Sequence, residues 1–502
     1  MKRYLFLSFV IVFLATTYSQ QMLPNKVWQF LHHIDRYPLN QHEALRPVTV
    51  QTQLDSLITN ENNTTRVLGR YFGYDNHHRS LWENYINFVS GESDSLFYQY
   101  NTAGNLTYSE YAAFDASHTL TNKNIHINTY DAQQRIVVET DSSFVGGVWD
   151  ASRYVYSNFN SSNLPTRIID QDYDASAGQY VNIMRGDVTY DTQSRITEVL
   201  IYVWNDSNSS WDTYAKLVRN FDSQGRMVQE VIKIWASITW YDYDEKNINI
   251  TTNGGNEVHT IVHRVRNGTN WENVEKDIYE FDGTTGKIVR TEHYEWDDST
   301  SQWVGTTKNV SVYSTSGSRL SVQTNYFVWD STANNWPAQA TSRWISEYDT
   351  SVPGTQIAWP NSFNNFDYHE RLFGRPWLRY YQPFTDYKLL YAENYYYDSG
   401  TSSWVLIRRD DFYYGPLMNV SDSEILGFRV APNPFTHSTV FSWNPSESNL
   451  AQLQIFDLTG KPVWSGEIGN GQKIYLTDLP SGIYVFRLYN KNGSVSGKLL
   501  KK

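Results

Sequence analysis

Few residues in this chain are spaced as chemistry requires. His259-Thr-Ile-Val-His263 places two histidines at i and i+4, but it lacks the adjacent Glu that acts as general base in a helical HExxH zinc site. On a strand the two rings share a face, so the pair reads as structural. His77-His78 lies beside a turn and reads the same way. Asp297-Asp298 and Asp410-Asp411 offer paired carboxylates, which a glycoside hydrolase needs at a defined separation. Neighbours on a strand point to opposite faces, so neither pair supplies that geometry. Asp297-Asp-Ser-Thr-Ser and Asp330-Ser-Thr present oxygen ligands without the spacing of an EF-hand or of a Gly-Gly-x-Gly-x-Asp repeat. The sequence holds no P-loop and no Gly-x-Ser-x-Gly elbow. With 0 cysteines, thiolate nucleophiles, Cys-based zinc sites and disulfides are excluded. Catalytic residue, metal ligand and cofactor are therefore all expected to be none, and a binding protein is the favoured reading over an enzyme.

What recurs instead is aromatic, with 38 Tyr, 18 Trp and 23 Phe. An aromatic followed by Asp or Asn, with a second aromatic seven residues after the first, occurs at Tyr173 with Tyr180, Trp204 with Trp211, Trp296 with Trp303, Trp329 with Trp336, and Tyr397 with Trp404. Two rings so placed close the mouth of a short polar loop as a cross-strand pair, and the Asp or Asn bonds the loop backbone. Trp204, Trp211, Trp296, Trp303, Trp329, Trp336 and Trp404 are the candidate ligand-surface aromatics. If exposed and coplanar they would act as platforms for a glycan, so a carbohydrate-binding or polysaccharide-acting extracellular protein is the alternative to a binding or adhesive role.

These rings must be carried by strands. Ile196 to Trp204 and Trp211 to Phe221 are rich in β-branched and aromatic residues, with Ile196, Leu200, Tyr202 and Trp204 on one period-2 face. By the same count Trp211, Leu217 and Phe221 share a face. Asp222-Ser-Gln-Gly225 then reverses the chain. This unit of about thirty residues recurs: Tyr100-Asn101, Tyr130-Asp131, Phe159-Asn160, Tyr190-Asp191 and Phe221-Asp222 are separated by 30, 29, 31 and 31. A basic residue restarts the strand at Arg135, Arg195, Arg226 and Lys287. Long strands with short connections pair with their sequence neighbours, so residues 66–415 are expected to form an antiparallel meander of some sixteen strands. Open sheets rarely pass about 10 strands without curling, so the fold class is all-β with a rolled or coiled sheet. The alternative is a small propeller of four-stranded blades.

The flanks differ. Met1-Lys-Arg3 before the apolar run Tyr4 to Ala15 has the form of a secretory signal peptide over residues 1–19, too short for a membrane span. No later stretch reaches that length, so no integral membrane segment is expected after signal removal. Residues 20–65 form a lead-in, in which Val27 to Ile34 suits an amphipathic helix of a turn or two. A net charge of −12 without basic clusters excludes a nucleic-acid surface. After a linker at 416–427 the chain turns to short strands and tight turns.

Two resemblances add to this. Tyr190-Asp-Thr-Gln-Ser-Arg-Ile196 and Phe221-Asp-Ser-Gln-Gly-Arg-Met227 resemble the YD repeats of Rhs-type surface proteins. Residues 428–502 resemble the C-terminal sorting domain of the type IX (Por) secretion system of Bacteroidetes. The matching positions are Pro432, Asn433 and Pro434, then Asp457, Gly460 and Lys461, then Leu479, Gly482, Ile483 and Tyr484, and finally Lys498, Lys501 and Lys502. That resemblance implies a small Ig-like β-sandwich, the type IX machinery as partner, and a secreted or surface-attached protein. Leu453, Ile455, Ile483, Val485 and Leu488 are expected in its core.

Overall fold

The computed structural model describes residues 27–35 apart from 28 and 32, 50–359 apart from 51, 62–64, 76, 118 and 146, 386–416, and 429–501 apart from 434, 444–449, 457–461, 481 and 491–492. The stretch read as a signal peptide and nearly all of that read as a linker lie outside these residues, as do Pro434, Asp457, Gly460, Lys461 and Lys502. Two compact units result, one up to Gly415 and one from Pro416.

In the first unit each strand pairs antiparallel with the next, from Thr52–Glu61 to Ser403–Pro416, and these two also pair with each other. The meander thereby closes into a barrel of 22 strands. A two-residue strand, Ile357–Ala358, adds parallel to Thr52 and Gln53. At the seam Thr59 donates to Asp410 at 2.6 Å and Asn60 to Asp411 at 3.1 Å. Nearest-neighbour pairing throughout excludes propeller blades. The barrel also begins inside the stretch read as lead-in and holds more than sixteen strands. The tight reversal at Ser237-Ile238 carries no aromatic-Asp mark.

Bulges correct the period-2 reading. Tyr190 pairs with Ile196 while Thr189 pairs with Glu198, so Thr197 is an extra residue. It moves Ile196 to the face of Val199 and Ile201, away from Leu200 and Trp204. A second bulge at Tyr214 separates Trp211 from Leu217 in the same way. The shift at the aromatic recurs at Tyr100, Tyr130, Phe221 and Phe281. Each unit can therefore bury an aliphatic stripe, with turn-end rings such as Tyr190 and Phe221 packed against it, while loop-end rings such as Trp204 and Trp211 sit on the other face.

The packed face is continuous across strands. Val188, Val199, Leu217 and Ile232 are successive cross-strand partners and all are buried. At about 25 cal/mol per Å² of apolar surface, each such side chain contributes roughly 1.5–3 kcal/mol. Residues 27, 29–31 and 33–35 are helical, and Val27, Phe30, Leu31 and Ile34 complete this core. Their spacing of i, i+3, i+4 and i+7 is that of one helical stripe.

The second unit has a three-stranded and a four-stranded sheet around Phe435, Phe441, Trp443, Leu453, Ile455, Phe486 and Leu488. Leu453 pairs with Leu488 and Ile455 with Phe486. Alternation along Gly482–Asn490 therefore points Tyr484, Phe486 and Leu488 inward. Val485 lies on the opposite face, only half-buried, and not in the core as expected. Ile483 shares its parity; its side chain is outside the described set.

Candidate functional site

Successive connections of an up-and-down barrel alternate between its two rims, so the two recurrent motifs occupy opposite ends. One rim carries tight turns opening at Asp75, Asn101, Asp131, Asn160, Asp191 and Asp222. In each, Oδ1 accepts the backbone N–H groups two and four residues on, at 2.8–3.0 Å. The third residue after it is left-handed, from His78 at φ 61° to Gly225 at φ 83°. Where an Arg follows, its Nε donates to Oδ2 at 2.6–2.8 Å, as at Arg79, Arg135, Arg195 and Arg226. The Arg226 backbone N–H above all, with its guanidinium, holds the Asp222 carboxyl below the usual carboxylate range.

Each turn is also tied to the next. Arg79 lies 4.5 Å over the Tyr100 ring, Arg135 4.0 Å over Phe159, and Arg195 4.2 Å over Phe221. Tyrosine hydroxyls reach back one unit: Tyr100 to the Ser80 carbonyl at 2.9 Å, Tyr190 to Pro165 at 3.0 Å, Tyr313 to Ile288 at 2.8 Å, and Tyr414 to Leu389 at 2.7 Å. This rim is a chain of staples.

The other rim carries the paired rings. The five pairs expected from the seven-residue spacing all form, edge to face, with centroids 4.9–5.3 Å apart. Four of them are direct cross-strand partners. Two further pairs, Trp235 with Trp240 and Phe144 with Trp149, have centroids 5.0 and 5.3 Å apart. They close two-residue turns and so lie five residues apart, which the seven-residue signal misses.

A cation from the strand two before packs on the second ring of six of these pairs. The distances are Arg153 to Tyr180 4.0 Å, Arg185 to Trp211 5.4 Å, Lys216 to Trp240 4.9 Å, Lys276 to Trp303 5.1 Å, Lys308 to Trp336 5.8 Å and Arg343 to Trp404 4.0 Å. Sequence reading missed these cations, although a basic residue 24 to 28 positions upstream of the second ring marks all but Arg343. Trp204, Trp211, Trp296, Trp303, Trp329, Trp336 and Trp404 are all half-buried. Each packs against its partner ring, and Trp211, Trp303, Trp336 and Trp404 also against a cation.

Beyond the rings, the polar tips at 175–178, 206–209, 298–301, 331–335 and 399–402 are exposed. One Asx design holds them. Asp174, Asn205, Asp297, Asp330 and Asp398 accept the N–H two residues on at 2.8–3.1 Å. Gly178, Ser209, Ser301, Asn334 and Ser402 follow in the left-handed region. The Ser299 hydroxyl, then that of Thr300, holds the Asp297 carboxyl below its ordinary range, so the loop keeps its charge into acid.

Three histidines between positions 259 and 293 face carboxylates. His263 lies 2.7 Å from Asp244 and 3.4 Å from Glu275, His259 2.5 Å from Glu257, and His293 2.7 Å from Asp277. Among the described residues no group of three or more His, Cys, Asp or Glu is arranged to hold a metal. Asp410 and Asp411 clasp the seam from opposite faces.

In the second unit, Thr439 donates to the Pro432 carbonyl at 2.8 Å, the Tyr484 hydroxyl to Pro480 at 2.7 Å, and Leu479 packs against the core. Lys501 is buried, and its Nζ donates to the carbonyls of Leu476 at 2.5 Å and Thr477 at 2.9 Å. Gly482 and Lys498 lie in paired strands, Lys498 opposite Val485, and Asn433 follows Pro432.

The model of the secretion system C-terminal sorting domain matches residues 429–502. The chain therefore carries a type IX sorting tail of the Bacteroidetes kind, which engages that machinery and directs export to the cell surface or the extracellular space. No curated protein matches. Among solved structures, a protein of unknown function from Bacteroides fragilis NCTC 9343 is similar over 31% of this chain and 91% of its own, at 14% identity and TM-score 0.18. A porin-like protein from Bacteroides uniformis ATCC 8492 is similar over 57% of this chain and 99% of its own, at 12% identity and TM-score 0.20. A TcdB2-TccC3-Cdc42 assembly is similar over 90% of this chain and 25% of its own, at 9% identity and TM-score 0.20. No helix among the described residues is long and apolar enough to cross a membrane.

Proposed function

We propose that this protein is a non-enzymatic binding or adhesion module, exported with residues 1–19 as its signal peptide and 429–502 as its sorting tail. The observation that carries the reading is the rim of five exposed polar loops, each held by the same Asx design above a cation-braced ring pair. A repeated, rigid display spreads contacts over a surface, whereas an enzyme needs one unique cluster. The opposite rim, with its aromatic-Asp turns and following Arg, supports assigning the repeats to the YD type.

The barrel is proposed to work in water. Lys216 and Lys233 pair on one face at mid-strand, and Arg219 and Glu230 on the other. A barrel inserted in the outer membrane instead needs an unbroken outward apolar band about 25 Å tall. A protein partner is favoured over a sugar, because flat stacking on these tryptophans would require displacing a cation or a ring. The test is to replace the tips at 206–209, 298–301 and 399–402 by Gly-Ser and measure retention of exported protein on immobilised extracellular proteins and glycans. Binding of wild type that the replacement abolishes supports the reading. Binding untouched by the loops but lost in Trp211→Ala and Trp303→Ala variants would favour the carbohydrate-binding alternative, and a sugar-releasing activity would refute the non-enzymatic reading in favour of a polysaccharide-acting protein.

A further inference from the structure

A helix as short as that at residues 27–35 is marginal in water on its own, so its order here comes from what it docks on. The sheet is shaped and charged for it. Gly186 is the notch: a Cβ there would come within 3.0 Å of Ile34 and 3.1 Å of Phe30. On one side of the notch His33 stacks on Tyr154, with ring centroids 3.4 Å apart, bonds the Tyr156 hydroxyl, and lies 2.9 Å from Glu139. On the other, Asp35 accepts both arms of Arg219, at 2.6 and 2.7 Å, while Arg219 Nε donates to Glu230 at 2.8 Å. Glu139 and Arg219 are both buried. A buried charge deprived of its partner is strongly destabilising, so the sheet carries two polar anchors flanking an apolar trough.

We propose that the packed face around Gly186, from Glu139 to Arg219, is a binding site for an amphipathic helix, occupied in this chain by residues 27–35 as an internal ligand. The ligand class is a helix with four apolar residues at i, i+3, i+4 and i+7, a His beside the last of them and an Asp just beyond it. The anchors fix its direction, since reversing the helix would exchange the ends that carry Val27 and Asp35. Such a site accepts the same segment in trans, from a peptide or from a second copy of the chain.

The test uses the full chain with a protease site inserted between 36 and 49, cut after folding, and a labelled synthetic peptide of residues 24–36. The N-terminal piece should stay bound through gel filtration and exchange with the peptide. Asp35→Asn in the peptide, or Gly186→Leu in the sheet, should weaken binding at least tenfold. Pairing a D35R peptide with an R219D chain should recover part of that loss. The proposal is overturned if the cut piece leaves at once and the peptide does not rebind, or if binding is indifferent to both Asp35 and Gly186. Because the wild-type chain folds before it is cut, failure of a variant to fold leaves the wild-type exchange as the deciding measurement.

Discussion

Arg195 shows best how one unit is fastened to the next. Its guanidinium binds Asp191 in its own turn at 2.7 Å, donates to the Gly225 carbonyl of the following turn at 2.7 Å, and lies 4.2 Å over Phe221. With side chains 29% and 20% exposed, the ion pair contributes about 0.2–1 kcal/mol. The charged hydrogen bond to the carbonyl adds about 1 kcal/mol and the ring contact about 0.5–1 kcal/mol. Arg195→Met keeps the stem and removes all three, so the expected loss is about 2 kcal/mol. A double-mutant cycle with Phe221→Leu, followed by urea unfolding, should return a coupling of about 0.5–1 kcal/mol. A coupling within the roughly 0.3 kcal/mol seen for independent sites, together with an Arg195→Met loss below about 0.5 kcal/mol, would refute the idea that the turns are fastened together.

At the left-handed turn positions, Gln134→Gly should stabilise by up to about 1 kcal/mol. Gly225→Ala should destabilise by about 1–2 kcal/mol, since its Cβ would also meet Arg195 at 2.6 Å; urea midpoints decide both. Glu139 is buried, which raises its pKa, yet His33 and then Tyr156 and His126 bring it down to about 2. Its contribution is therefore present above the unfolded carboxylate range near pH 4.3 and lost as pH falls towards 2, so Glu139→Gln should flatten acid unfolding in that window. For His263, burial lowers the pKa but Asp244 and Glu275 outweigh it and raise it. That stability is present below about pH 6.5 and lost as pH rises through the folded value, and His263→Asn should remove the alkaline slope in Tm. Lys501→Met strands two carbonyls and should destabilise the tail by about 2–3 kcal/mol, read as a smaller exported fraction in a type IX-competent host.

The sequence made the motifs legible because each is local. An Asp bonding the backbone two and four residues on, and two rings across a short loop, leave fixed spacings. What it hid was either phase or distance. Thr197 and Tyr214 insert a residue without any mark in composition, so a strict alternation put Ile196 and Leu217 on the wrong faces. The cations on Trp211 and Trp303 come from two strands away. Thr52–Glu61 lacks both motifs, and so the strand that closes the barrel read as lead-in. In the sorting tail the motif residues were plain, but Val485 was assigned to the core against the parity of Leu488. The Gly186 notch could not be read at all, since its meaning depends on a helix that far upstream.

The seam between Thr59 and Asp410 sets the order in which this molecule can assemble. Most other pairings in the meander join strands that leave the ribosome one after another across short loops; the exceptions are the pair on either side of residues 354–386 and the two-residue strand Ile357–Ala358 on Thr52 and Gln53. The seam joins groups 351 residues apart. Loop-closure entropy rises by about 0.6 kcal/mol per doubling of length, so bringing these ends together costs about 2 kcal/mol more than closing one thirty-residue unit. Until the last strand is made, Thr52–Glu61 and the growing edge both stand open as unpaired templates for any passing strand. Folding should therefore proceed by fast local zippering and finish with one slow step, during which the chain is most exposed to pairing with a neighbour.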